Sequence, residues 1–195
     1  MESYNLPEII RILREKEINL FTLADFERLF NINNDNTLYK KIQRLEKKKI
    51  IKKLIKGKYY FIFNRPNDYL IANFLFNPSY ISLESALSFY GIMTFFSYEI
   101  TSITSKKTRK ISVDNKVYSY SKIKKELYWG FEKRDNFLIA EPEKAILDYF
   151  YLEIKGWRSI DLKELNFNEI DKKKLLLYGK RFREERLLTI VKKII

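Results

Sequence analysis

One feature limits the folds open to this chain: an apolar stripe at helical spacing that runs straight into a short β-hairpin. At about 100° per residue, Leu38, Ile42 and Leu45 fall on one side of a helix spanning roughly 36–48. Residues 50–55 and 58–63 then read as two strands joined at Lys56-Gly57, where glycine can supply a positive φ. Upstream, Leu6, Ile9, Ile10 and Leu13 recur at helical spacing, with Pro7 tolerated in a first turn. Thr22, with Asp25 three residues on, caps a second helix whose apolar side is Leu23, Phe26 and Leu29. Asn31-Ile32-Asn33-Asn34-Asp35-Asn36 is turn chemistry, because Asn and Asp tolerate left-handed backbone. Three helices followed by a hairpin is the order of a winged helix-turn-helix. Asn64-Arg65-Pro66-Asn67-Asp68 breaks the pattern, which places this domain at 1–66 and the remainder at 67–195.

Charge is concentrated on the same segment. The chain carries 38 Lys/Arg against 25 Asp/Glu, a net +13, but composition can shift that sum genome-wide, so its distribution has to decide. From Asn36 to Lys58 there are ten basic residues and a single acid, Glu46. Opposite the apolar stripe the helix presents Asn36, Lys40, Gln43, Arg44 and Lys47, flanked by Thr37, Lys41 and Lys48. The hairpin adds Lys56 and Lys58. Cations on such a surface neutralise phosphates and release counterions. Asn, Gln and Arg near the start of a recognition helix can make bidentate bonds to adenine and guanine edges. These ten residues are the expected contacts to double-stranded DNA.

Two blander readings stand beside that one. Lys40 to Lys48 can simply solvate an exposed helix, although a solvated face generally mixes signs to gain i,i+4 pairs. The run Tyr59-Tyr60-Phe61 beside Lys56 and Lys58 can stack on single-stranded bases, although in a closing strand such residues more often pack inward.

Beyond the boundary the pattern is mixed α+β. Apolar helices are expected at 68–76 and 82–90, the second capped by Ser82 and ended by Gly91. Strands are expected at 98–104 and 109–113, with a tight turn at Asp114-Asn115, and more β character at 127–133 and 137–139. Glu141-Pro142-Glu143 opens a helix through Leu152, where carboxylates favour the positive dipole end. From Asp171 onward two further helices are expected, the last bearing Leu187, Leu188, Val191 and Ile194, a stripe read as packing on its own domain.

Little in the chain points to catalysis. With no histidine and no cysteine, the usual general base, the commonest metal ligand, disulfides and thiol chemistry are all excluded. Glu141, Glu143 and Asp148 could gather magnesium, but carboxylates at a helix start are generally structural. There is no Walker loop and no glycine-rich dinucleotide turn, and Ser102 to Ser105 have no evident base. No enzyme activity, cofactor or metal is expected. Residues 1–14 lack a signal-peptide pattern and no apolar run approaches membrane-spanning length, so a soluble cytoplasmic protein is expected.

Several segments together resemble the AbiEi family of antitoxins from type IV toxin-antitoxin and abortive-infection systems. Thr37-Leu38-Tyr39-Lys40-Lys41-Ile42-Gln43-Arg44-Leu45, then Ile50-Ile51 and Gly57-Lys58-Tyr59-Tyr60, match in the winged helix. Tyr80-Ile81-Ser82-Leu83-Glu84-Ser85-Ala86-Leu87-Ser88-Phe89-Tyr90-Gly91 and Thr101-Ser102-Ile103-Thr104 follow in order. Ile139-Ala140-Glu141-Pro142-Glu143-Lys144-Ala145-Ile146-Leu147-Asp148 is similar to the family's A-x-P-E-K-A-x-x-D stretch. Lys49 departs from the pattern, in which glycine often follows the recognition helix. The resemblance implies an antitoxin that represses its own operon through inverted repeats at the promoter. It also implies a nucleotidyltransferase-like toxin as functional partner, without a stable complex between the two. Two other classes stay open: a regulator whose second domain senses a small ligand, which an apolar pocket would favour, and an RNA-binding module.

Overall fold

The structure, a computed structural model, describes residues 4–94, 98–157, 159, 164–168 and 170–195. The chain divides into two compact units, Met1–Leu75 and Phe76–Ile195. The division thus lies nine residues later than the expected boundary at 66, because helix 68–75 belongs with the first unit.

The first unit runs α1 (Leu6–Glu15), β1 (Leu20–Thr22), α2 (Leu23–Leu29), α3 (Asp35–Lys47), β2 (Ile51–Ile55), β3 (Lys58–Phe61) and α4 (Asp68–Leu75). Its sheet has the order β1-β3-β2, all antiparallel, with Leu20 opposite Tyr60 and Lys52 also opposite Tyr60 from the other side. This is a winged helix. Its helices start on side-chain caps: Asn5 and Glu8 form a reciprocal capping box, Thr22 and Asp25 form another, and the Asn34 side chain accepts from the Thr37 amide. They end alike as well. Glu17, Asn31 and Lys49 each take a left-handed backbone after the last turn. At each site the following amide reaches back to a carbonyl five residues earlier, as Ile50 does to Leu45 at 3.0 Å. The core joins Leu13, Phe26, Leu38, Ile42, Leu45, Ile51 and Phe61.

The second unit holds a mixed six-stranded sheet of order β6-β7-β5-β4-β9-β8. Its strands are β4 (Tyr80–Ile81), β5 (Glu99–Thr104), β6 (Arg109–Val113), β7 (Lys116–Lys122), β8 (Phe131–Arg134) and β9 (Phe137–Ala140). The β6–β7 and β8–β9 pairs are antiparallel, whereas β5–β7 and β4–β9 are parallel. Asp135 and Asn136 both take positive φ, as a two-residue type I′ hairpin turn requires. The helices are α5 (Leu83–Phe89), α6 (Pro142–Ile154), α7 (Lys172–Arg181) and α8 (Glu185–Ile194). Helix α5 packs on β5 and α6, and α6 packs on α7 and α8. On α8, Leu187 and Val191 are buried and Leu188 and Ile194 partly so, which accounts for the apolar stripe.

The expected Ser82 cap is not made. The Ser82 hydroxyl instead donates to Asp148 at 2.9 Å, while the Thr101 hydroxyl, on β5, accepts from the Ser85 amide at 2.9 Å and donates to the Ser82 carbonyl. The cap of α5 is therefore supplied by a neighbouring strand, leaving Ser82 to a buried polar cluster. In that cluster the Tyr80 hydroxyl also donates to Asp148, at 2.9 Å, and accepts from the Lys144 ammonium. Lys144 and Asp148 form an ion pair. Burial pushes the Lys144 ammonium below the ordinary lysine range and the Asp148 carboxyl above the ordinary carboxylate range, each opposed by the other's charge. The same desolvation raises the Tyr80 hydroxyl well above the usual tyrosine range. Tyr80, Trp129 and Phe182 rings lie 5.1–5.4 Å from the ammonium. Gly130 lies against its stem, where an added Cβ would come within 3.0 Å of Lys144 Cγ.

Candidate nucleic-acid interface

Helix α3 is held from behind by Leu38, Ile42 and Leu45, which are all buried. This anchoring fixes which side faces out. Asn36, Thr37, Lys40, Gln43, Arg44, Lys47 and Lys48 are all exposed, on one continuous side of the helix. Lys56 is exposed at the hairpin turn, where Gly57 takes φ +77°. Eight of the ten sequence-expected residues are thus solvent-facing on α3 and its wing.

Lys41 and Lys58 differ. The Lys41 ammonium donates to the Tyr4 carbonyl at 2.8 Å, tying α3 to the start of α1. The Lys58 ammonium donates to the Phe74 and Leu75 carbonyls at 2.5 and 3.0 Å, and lies 5.0 Å from the Phe74 ring. Those carbonyls close the last turn of α4, the negative end of its dipole, so Lys58 acts there as a helix-end cation. Both were expected on the phosphate-facing surface, and both are occupied within their own unit. Neither contact is visible at sequence level, because each partner lies tens of residues away or in a helix whose position is set by tertiary packing.

Other exposed residues join the surface that residue chemistry alone did not single out. Lys49 follows α3 and Lys53 lies on β2, both exposed. Tyr39 is 52% exposed on α3. A helical-wheel position beside Gln43 would have found it. The aromatic run offers no stacking platform, since Tyr59, Tyr60 and Phe61 are all buried and Tyr59 stacks on Phe21 at 5.9 Å. Burial raises the Tyr59 hydroxyl above its usual range.

The carboxylates considered for magnesium are each engaged. Asp148 lies in the buried cluster. The Glu143 carboxylate accepts from the Asp171 amide at 3.1 Å and pairs with Lys174 at 3.1 Å. Glu141 accepts from the Tyr178 hydroxyl at 2.6 Å and pairs with Lys174 at 3.3 Å. Burial works against the Lys174 charge, but the paired carboxylates of Glu143 and Glu141 prevail and raise it above the ordinary lysine range. Among the described residues no group of three or more acidic side chains could hold a metal ion.

Two clefts of the second unit are lined by charged residues. One, of about 380 Å³, is lined by Lys124, Glu126, Leu127, Arg181, Phe182 and Arg183. The other, of about 510 Å³, lies beside Phe76, Lys106, Lys107, Arg109 and Lys122. Lysine and arginine side chains line both. Among the described residues no helix is long and apolar enough to cross a membrane. No family model and no curated protein matches this chain.

Proposed function

We propose that this protein is a DNA-binding transcriptional regulator that grips duplex DNA through α3 and the β2–β3 wing. The observation that carries the reading is the one-sided face of α3. Its buried stripe is apolar, and its exposed side sets Lys40, Arg44, Lys47 and Lys48 beside the uncharged donors Asn36 and Gln43. Phosphates take the cations and base edges take the amides.

On the resemblance, the same protein is an AbiEi-like antitoxin that represses its own operon through promoter inverted repeats and neutralises a nucleotidyltransferase-like toxin without a stable complex. Support for it comes from two of the three second-unit segments that carry the resemblance. They meet in one place, with Tyr80 and Ser82 of one bonded to Lys144 and Asp148 of the other. The protein works in the cytoplasm, as a promoter-binding role requires.

The test is fluorescence anisotropy of the full chain on labelled duplex and single strand across a salt series. With Lys40, Arg44, Lys47, Lys48 and Lys56, the exposed cations among the expected contacts, each neutralising one phosphate, the log–log slope should be about −4 to −5. Duplex should outcompete single strand. A slope near zero, or a preference for single strands, would sink the reading. The antitoxin half stands or falls on a neighbouring nucleotidyltransferase-type gene whose toxicity this protein relieves when co-expressed.

A further inference from the structure

Across the exposed side of α3 the side chains change character in order. At 100° per residue, Lys48, Arg44, Lys40 and Lys47 occupy one flank and the centre, followed by Asn36 and Gln43, then Tyr39, then Glu46 and Asp35. All of these are exposed. Phosphates are drawn to the cationic flank and repelled by Asp35 and Glu46. The uncharged band between them meets the part of the duplex that carries no net charge, the base edges of the major groove.

Tyr39 stands out within that band. In the described part of the first unit the exposed large apolar side chains are Tyr39 and Phe63. Phe63 is covered by the Arg14 guanidinium at 5.1 Å and touches Phe61 at 5.4 Å. Tyr39 has neither a ring partner nor a hydrogen bond among the described residues. It lies one turn from both Asn36 and Gln43 on the same side of the helix. The only apolar group that a base pair presents in the major groove is the thymine 5-methyl, and the side chains suited to bidentate adenine contact are Asn and Gln.

We propose that Asn36, Tyr39 and Gln43 together read A·T pairs, with the Tyr39 ring packed on a thymine methyl. The inference rests on the DNA-binding reading and gives it a substrate class: duplexes with neighbouring A·T pairs at the centre of each α3 contact. Specificity at the methyl comes from the ring and not from the hydroxyl.

The experiment selects bound molecules from a pool of duplexes with a randomised centre, using the full chain, and sequences them. A·T pairs should be enriched at adjacent positions. In the selected duplex, 2′-deoxyuridine replacing the contacted thymidine should weaken wild-type binding about threefold to fivefold, the worth of one buried methyl. Tyr39→Ala should bind the thymidine and deoxyuridine duplexes alike. Tyr39→Phe should keep the discrimination. Because Tyr39 is half exposed, its variants should retain the wild-type circular dichroism, which separates lost reading from lost fold. Enrichment of G·C pairs, a bound pool with no sequence preference, or equal methyl discrimination by wild type and Tyr39→Ala would each overturn the inference while leaving salt-dependent duplex binding intact. Failure to bind any duplex would overturn this inference and the DNA-binding reading together.

Discussion

Lys144 and Asp148 stand one turn apart on α6 and form an ion pair with neither side chain exposed to solvent. Each charge is tolerable there only because of the other, and Asp148 is further held by the hydroxyls of Tyr80 and Ser82. Two charges taken out of water gain little net stability, but one left alone is costly. The cluster therefore fixes where β4 and α6 meet more than it strengthens the contact.

Removing one partner should be severe. Asp148→Ala should destabilise the protein by about 3–5 kcal/mol, the usual cost of an uncompensated buried charge. The double change Lys144→Met with Asp148→Leu should cost less than the sum of the two single changes by about 2 kcal/mol. Guanidinium denaturation followed by circular dichroism measures both. Strict additivity would mean the two charges do not depend on each other.

Lys58 separates helix capping from phosphate contact. Its ammonium bonds the last carbonyls of α4, so Lys58→Ala should lower stability by about 0.5–1 kcal/mol. It should leave the salt slope of DNA binding unchanged. Lys47→Ala, which removes an exposed cation of α3, should do the reverse and reduce the slope by about 1. A loss of slope in the Lys58 variant would place that ammonium on phosphate after all.

Much of this architecture is legible in the sequence, and the exceptions share a cause. The first three helices, the Thr22–Asp25 box and the Gly57 turn follow from local signals: apolar spacing, a capping pair and a positive φ. Strand β1 escapes because three residues, Leu20–Thr22, are too few to show a period. Ser82 reads as a cap because Ser before an apolar run generally is one, and it is diverted by a carboxylate 66 residues away. Lys41 and Lys58 read as free cations for the same reason, since nothing local reveals the carbonyls of Tyr4 and Leu75. What sequence reasoning misses at the interface is tertiary occupancy, while the exposed face of α3 is set by its own periodicity.

Acid should weaken the second helix in a predictable window. Hydrogen bonds from the Thr22 hydroxyl and amide hold the Asp25 carboxyl below its ordinary value of 3.8, assisted by Arg28 and opposed by slight burial. The unfolded chain then takes the proton more readily, so the stabilisation is full above about pH 4 and is lost as pH falls through the folded-state value. Asp25→Ala should cost about 1 kcal/mol near neutral pH. That difference should shrink in thermal melts as pH falls below about 4. A gap that stays constant down to pH 2 would show that the carboxylate charge is not what the cap uses.

Lys49 holds the left-handed position that closes α3, with φ +54°. Its amide and that of Ile50 bond back to Glu46 and Leu45 at 2.9 and 3.0 Å, so the turn depends on that conformation. A side chain there costs about 1–2 kcal/mol of backbone strain, which glycine avoids at the expense of a more flexible unfolded chain. Lys49→Gly should therefore gain about 0.5–1 kcal/mol, and Lys49→Val should lose stability because a branched Cβ fits that region worst. Denaturant midpoints of the two variants should move in opposite directions. Equal losses would show that the Lys49 side chain contributes a contact that outweighs its strain.

Glu143 decides between a structural and a catalytic role for the carboxylates at the start of α6. Its two oxygens face the Asp171 amide and the Lys174 ammonium, the same cation that pairs with Glu141. This arrangement ties the start of α6 to the start of α7 and leaves the carboxylates directed at protein partners. Glu143→Gln keeps an oxygen for the amide but loses the charge opposite Lys174, so it should cost about 1–2 kcal/mol, more than a helix-dipole contact alone. Lys174→Met should cost less, because Lys174 is more exposed than Glu143. Magnesium should not raise the melting temperature of the wild-type protein. Incubation with labelled nucleoside triphosphates, RNA and DNA should give no turnover with or without magnesium. A magnesium-dependent turnover that disappears in Glu143→Gln would show that the α6–α7 bridge opens to do chemistry.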